Sequence, residues 1–326
     1  MSTRNVRKKP RSSARRTEKR QAQSQTAKPR STRTSRPQQA RPTSAERFTP
    51  QGSSQTHTAG RSPAPSPGSR PSRGSRARTR PAVSATAVWI FGRNVVSEAI
   101  ASGREIERIW IAEGTENLGA LTARAEKAGV KIETATRTNV DAWAGTDRHQ
   151  GVLAAVGPYE FAELEPLLDE LAAKETPPFL LLLNEVQDPH NLGSILRTAD
   201  AAGVDAVVLP FHRSVGLTAG VAKSSAGAIE YMRVVEAPNL SRLVEKLQER
   251  GYWVAGAEAD GTVDYREPDY NVPLALVIGG EDKGIGHALR KKCDWVVKLP
   301  MQGRLNSLNA SVAAALLMYQ VVHSRS

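Results

Sequence analysis

The chain has almost no cysteine: Cys293 is the only one among 326 residues. A single thiol excludes an internal disulfide and any zinc site built on cysteines. It fits a reducing interior, so a cytoplasmic location is expected, with Cys293 packed as a small side chain. Long apolar runs are missing too. No stretch approaches the roughly 20 residues needed to cross a bilayer, so no membrane partner is expected. The Arg- and Ser-rich start lacks an apolar h-region and does not read as a secretory signal. Aromatic residues form 5% of the chain, and Phe48 is the only one in residues 1–87.

Acids are as scarce as aromatics in that opening stretch. Residues 1–87 carry 21 lysines and arginines against Glu18 and Glu46, a net charge of +19, while the remaining 24 basic and 31 acidic residues give −7. The high isoelectric point belongs to the arm, and the rest is mildly acidic. Segments such as "RSPAPSPGSRPSRGSRARTRP" have neither helical nor strand period. They cannot bury enough apolar area to offset the entropy of ordering. Residues 1–87 are therefore expected to be a disordered basic arm that contacts phosphates without sequence specificity. A solubilising extension is the alternative.

Periodicity begins near Ala87. "IERIWIA", "KIETAT" and "QGVLAAVGP" read as strands, separated by "NVVSEAIASG", "LGALTARAEKAGV" and "NVDAWAG", which read as helical pieces. Residues 88–157 thus predict a small α/β domain. Residues 158–178 hold one acidic helix, Leu164 to Ala173, and a Pro-Pro break, and are expected to connect two domains. From Phe179 to the end, apolar strands such as "FLLLLNEV", "DAVVLP" and "PLALVIGGE" alternate with helices. That pattern predicts a parallel sheet covered on both faces, with ligands held beyond the carboxyl ends of the strands.

Three strand-end segments combine polar groups with tight turns. In "NEVQDPHNLGSILRTADAAG", Asp188 and Pro189 read as N-cap and first helical residue. Leu192, Ile195, Leu196 and Ala199 form an apolar stripe that leaves Arg197 outside it. Arg197 could pair with Asp200, or it could serve a ligand. In "LALVIGGEDKGIG", Gly279 and Gly280 end a buried strand. Position 281 is glutamate, so the dinucleotide G-x-G-x-x-G pattern is absent and a nicotinamide oxidoreductase is disfavoured. Glu281 could bind ribose hydroxyls, orient a cation or cap the next helix. In "LPMQGRLNSLNASVAAALLMYQ", either Ser307 or Asn309 would cap the final helix.

In combination and order these segments resemble the three motifs of the SpoU (TrmH) family of S-adenosylmethionine-dependent RNA ribose 2′-O-methyltransferases. "DPHNLGSILRTADAAG" matches N-x-G-x-x-x-R-x-A-x-x-x-G. "VIGGEDKGIG" matches G-x-E-x-x-G. "LPMQGRLNSLNASVA" matches (I/L)-P-M-x-G-x-x-x-S-L-N-x-S-x-A. Upstream, "IFGRNVVSEAI" and "HQGVLAAV" resemble an L30e-like substrate-binding domain. The subgroup that carries it methylates a guanosine of 23S ribosomal RNA.

The resemblance covers roughly residues 88–326 and implies a good deal. Residues 179–326 would be a SPOUT-type α/β catalytic domain with a C-terminal trefoil knot. S-adenosylmethionine would be the cofactor, held around Gly279, Leu299, Met301, Ser307 and Leu308. Arg197, Glu281, Asn191 and Asn309 would be the catalytic group. The family's proposal has Arg197 act on the 2′-hydroxyl as a base; the physically preferred alternative has it anchor the adjacent phosphate and the 2′-oxygen, oriented by the other three. Arg93, Asn94, His149 and Gln150 would contact RNA, although His149 could equally be a structural histidine. The expected partners are structured RNA, ribosomal before transfer RNA, and a second copy of the chain through the catalytic domain. No metal is expected. A non-enzymatic RNA-binding protein is the alternative of a different class. It predicts loss of Arg197, Glu281 or Asn309, and all three are present.

Overall fold

Alternation along each strand decides which helix layer its side chains meet, and two sheets result. The computed structural model describes residues 79–281 and 283–326. Residues 1–78, most of the expected basic arm, lie outside the described residues. The first sheet holds β1 (Val88–Phe91), β2 (Ile106–Ala112), β3 (Ile132–Ala135) and β4 (Val152–Val156) in the order β1-β4-β2-β3. β4 runs antiparallel to both β1 and β2, and β2 runs parallel to β3. Helices α1 (Arg93–Ala101), α2 (Gly119–Lys127) and α3 (Arg137–Ala144) join these strands.

Every residue of β4 is buried. Val152, Ala154 and Val156 face α1 and α2, packing with Ile90, Val95, Ile109 and Leu121. Leu153 and Ala155 face the opposite way, onto Trp110 of β2 and Trp143 of α3. That second face is covered by the end of the expected arm. Residues 79–87 are a strap lying on it. The Trp143 indole donates to the Thr79 carbonyl (3.1 Å), and Arg80 donates to the Trp143 carbonyl (2.5 Å). The Arg80 guanidinium also lies 5.1 Å from the Trp89 ring centre. Val83 and Ala87 pack on the tryptophan cluster. A tryptophan 64 residues downstream recruits this strap, so local composition gave no sign of it.

The second sheet holds β5 (Phe179–Asn184), β6 (Ala206–Pro210), β7 (Val234–Ala237), β8 (Trp253–Ala257), β9 (Val263–Asp264), β10 (Leu274–Gly279) and β11 (Trp295–Lys298). Their order is β7-β6-β5-β10-β8-β11-β9, and every pairing is parallel. In β5, Leu181 and Leu183 point into one core with Leu276 and Ile278 of β10. The partners there are α5 (Pro189–Ala201) and α9 (Ala310–Arg325). Leu180 and Leu182 point into the other, against α4 (Leu164–Ala172) and α7 (Leu240–Glu249). Strands buried on both faces explain the unbroken apolar runs. The remaining helices are α6 (Ala219–Ser224) and the one-turn α8 (His287–Arg290). Leu167, Leu168 and Leu171 of α4 belong to this core, so the connecting segment is itself a layer of the second sheet.

The chain leaves β5 toward β6 on one side, while β10 flanks it on the other. That junction is a topological switch point, where parallel sheets open a crevice. The seam between the two sheets carries a buried ion pair. Arg104 donates to Glu230 (2.8 Å), with side-chain exposures of 10% and 2%. The same guanidinium bonds the Gly157 carbonyl and stacks on Tyr159 at 3.6 Å, while the Tyr159 hydroxyl donates to Glu230. Removing one member of such a pair leaves the other charge buried and unpaired. Arg104→Ala is therefore expected to destabilise the fold by about 3–5 kcal/mol, read from denaturant unfolding. Removing both charges together with Glu230→Gln should recover part of that loss.

Candidate active site

The carboxyl ends of β5, β8, β10 and β11 meet over one cleft. After β5 the chain enters α5 as its sequence dictates. Asp188 is the N-cap and accepts from the His190 amide (2.9 Å), and Pro189 takes the first helical position. Asn191 is then 6% exposed. Gly193 lets α5 approach α6 closely: a Cβ there would fall 1.9 Å from Ser224 Oγ.

β10 ends at Gly279, and the turn that follows folds back onto the strand. A Cβ on Gly279 would meet the Gly284 carbonyl carbon at 2.0 Å, and one on Gly280 would meet the Glu185 carbonyl oxygen at 2.4 Å. Both positions are therefore confined to glycine by backbone packing. The fold-back brings Glu281 beside α5, where its Oε1 accepts from the Asn191 amide. Glu281 does not cap α8, whose N-cap is Gly286 without any side-chain bond.

α9 supplies the third member. Its N-cap is Asn309, not Ser307. Asn309 Oδ1 accepts from the amides of Ser311 (2.9 Å) and Val312 (3.3 Å). Its Nδ2 donates to Asn191 Oδ1 (2.9 Å) and lies 3.5 Å from Glu281 Oε1. One amide thus caps a helix with its oxygen and ties three distant segments together with its nitrogen.

The cleft runs along this junction. Its apolar wall is Ile278, Val297, Leu299, Leu308 and Leu317; its polar rim includes Glu258, Glu281, Asn306 and Ser307. Gly279, Leu299, Met301, Ser307 and Leu308, the five residues expected at a cofactor pocket, all line it. An apolar slot with few polar groups suits a nucleoside with a flat base and a hydroxylated sugar. A second, more polar hollow, lined by Glu185, Gln187, Asp188 and Lys283, shares Gly280, Glu281 and Ala310 with the first.

Sequence reasoning missed Glu258 beyond β8. Its Oε1 accepts from the Ile285 amide (2.9 Å), which holds the fold-back turn against the cleft. Its position just past a parallel strand was the available signal. Cys293 is partly buried and donates to the Leu289 carbonyl, and burial pushes its thiol up to about 12. It is a packed side chain. Among the described residues no metal-ligating cluster occurs.

Arg197 stands apart from the junction. It is exposed, and it makes no hydrogen bond or ion pair with a described residue, Asp200 included. The expected orientation of Arg197 by Glu281, Asn191 and Asn309 is not found; those three bond one another instead. The upstream residues divide likewise. Arg93 and Gln150 join the β1–α1 turn to the loop before β4. The Arg93 amide donates to Gln150 Oε1 (3.1 Å), and Arg93 Nε donates to the Gln150 carbonyl (3.2 Å). Asn94 is exposed beside them. His149 corrects the reading of this loop as a set of contacts: it is fully buried, with Nδ1 accepting from the Gly151 amide (3.0 Å) and Nε2 bonded to Asp141 (2.7 Å). It shapes the loop rather than reaching outward.

Two family descriptions match this chain. "SpoU rRNA Methylase family" matches residues 178–319, and "RNA 2′-O ribose methyltransferase substrate binding" matches residues 89–162. A Bacillus subtilis protein assigned to the TrmH family of tRNA/rRNA methyltransferases is 48% identical over 240 residues, 73% of this chain and 96% of its own length. The chain belongs to the SpoU/TrmH family of RNA methyltransferases.

Solved SpoU structures share the fold. AviRb of Streptomyces viridochromogenes, crystallised with the cofactor AdoMet, gives a TM-score of 0.63 at 24% identity over 74% of this chain and 91% of that one. A crystal structure described as an RNA 2′-O ribose methyltransferase gives a TM-score of 0.64 at 25% identity, over 74% and 89%.

Proposed function

We propose that this SpoU/TrmH protein transfers a methyl group from S-adenosylmethionine to a ribose 2′-hydroxyl of structured RNA, a guanosine of 23S ribosomal RNA. The observation that carries this reading is the junction of Asn191, Glu281 and Asn309 at the rim of a nucleoside-sized apolar cleft. Ile278, Leu299, Leu308 and Leu317 would hold the cofactor's adenine by apolar contact. Met301, Ser307 and the backbone at Gly279 would complete the pocket. When bound, S-adenosylmethionine supplies an electrophilic methyl on a sulfonium.

The residues of the chain then have distinct tasks. Asn191 and Asn309 hold Glu281 by two amide donors on Oε1, which leaves its second oxygen for a ribose hydroxyl. Arg197 is not assigned as the base, because a guanidinium offers only N–H donors and no acceptor for a proton. With no partner among the described residues, it acts as a cation for the phosphate and the 2′-oxygen of the substrate. Holding the reacting groups in line can supply roughly 7–11 kcal/mol of barrier reduction.

Further parts of this reading rest on the family. The first sheet would be an L30e-like domain gripping RNA through Arg93, Asn94 and Gln150, and the basic arm would add salt-dependent affinity. The return of the chain from β11 to α9 would thread a trefoil knot. α9 would form the core of a homodimer. Val312, Leu316 and Tyr319 support this, being 48%, 46% and 51% exposed along one helix face.

The test is a map of 2′-O-methyl sites in ribosomal and transfer RNA from cells with and without the gene. Loss of one guanosine site in 23S ribosomal RNA is expected. Loss of a transfer RNA site would redirect the substrate, and an unchanged map would overturn the enzymatic reading.

A further inference from the structure

We propose that Lys223 is an RNA-phosphate contact supplied by the catalytic domain, forming with Arg93 and Gln150 an anion cradle at the seam between the two sheets. Lys223 lies in the last turn of α6, and its side chain crosses to the other sheet. A methyl group on Gly92 would fall 2.6 Å from Lys223 Nζ and 3.1 Å from Gln150 Oε1. The ammonium therefore sits against the β1–α1 turn, beside the loop that Gln150 and Arg93 hold together.

Nothing among the described residues neutralises it. Lys223 makes no hydrogen bond or ion pair with a described residue, and burial lowers its pKa without any charged neighbour offsetting the effect. The acids of this seam are engaged elsewhere. Glu98 accepts from the Tyr231 hydroxyl (2.7 Å), and Glu230 is paired with Arg104. Arg93 bonds Gln150 only through its amide and Nε, so its terminal nitrogens have no partner among the described residues. Two cations with spare donors around one amide side chain cost free energy when partly desolvated. A phosphodiester between them offsets that cost, with lysine acting as a point charge.

The cradle also lies on the way to the cleft. Ser224 Oγ, one residue beyond Lys223, donates to the carbonyl of Pro189 (2.8 Å), which opens α5 two residues before Asn191. RNA held at Lys223 is thereby positioned between the substrate-binding loops and the methyl-transfer site. The assignment rests on RNA being the substrate, as proposed above.

The test uses the full chain carrying Lys223→Met, which keeps the apolar stem, and Lys223→Arg, which keeps the charge. The probe is a large-subunit ribosomal RNA transcript, with affinity measured across a salt series. Lys223→Met is expected to weaken binding about five- to tenfold at low salt and to reduce the slope of log affinity against log salt by about 0.7–0.9. Lys223→Arg should restore the slope, and cofactor affinity and thermal midpoint should not move. An unchanged slope in Lys223→Met, even with weaker binding, overturns the phosphate contact in favour of a packing role. Wild-type methyl transfer to cellular RNA is scored in parallel. Its absence would defeat the methyltransferase reading itself, whereas its presence with an unchanged slope defeats only Lys223.

Discussion

Arg197→Ala is expected to lower methyl transfer by about 10²–10³-fold or more, to the edge of detection, while the protein still folds and binds its cofactor. The fold should tolerate the change because Arg197 is exposed and contributes nothing to the buried stripe of Leu192, Ile195, Leu196 and Ala199. Cofactor affinity should persist because Arg197 does not line the cleft. An exposed guanidinium with no partner among the described residues, one helix away from a nucleoside-sized slot, is poised for substrate. Arg197→Lys should recover only part of the activity, since it keeps the charge but loses the planar fork. The measurement is single-turnover transfer of labelled methyl to RNA, with calorimetry for cofactor binding. A variant lacking Arg197 that retains a tenth of wild-type transfer would remove it from the site.

The second large effect belongs to Asn309. Asn309→Asp keeps the oxygen that caps α9 through Ser311 and Val312, so helix stability should survive. The lost group is the Nδ2 donor, 2.9 Å from Asn191 Oδ1 and 3.5 Å from Glu281 Oε1. A carboxylate oxygen there would face two acceptors, one of them charged, and the junction should open. Methyl transfer is expected to fall by about 10²-fold with a thermal midpoint close to wild type. Asn309→Ala removes cap and link together and should also cost about 0.5–2 kcal/mol of folding stability. Wild-type methyl transfer by Asn309→Asp, with stability lost only in Asn309→Ala, would mean that Asn309 is only a cap.

Much of this arrangement is legible along the chain, and the limit of legibility is physical. The β5–α5 turn can be read from Asp188 and Pro189 because capping is local. The double-sided burial of β5 can be read from "FLLLL" because alternation is local as well. Contacts between Asn191, Glu281 and Asn309 are not local; they join residues 90 and 118 positions apart. No periodicity encodes that, so only the joint resemblance of three motifs pointed to it. His149 shows the same limit from the other side. Sequence leaves its two roles open, and burial against Asp141 selects one. Glu258 and Lys223 carry no motif, and their meaning depends on what the fold places beside them.

Asn309 has one more consequence, in time rather than in space. Asn191 leaves the ribosome 118 residues ahead of the partner that completes its junction. At about 5–20 residues per second, that interval is roughly 6–24 s. Throughout it, the nascent chain carries Asn191 without the Asn309 amide that links it to the start of α9. The cleft is therefore completed only when the last helix of the chain has been made.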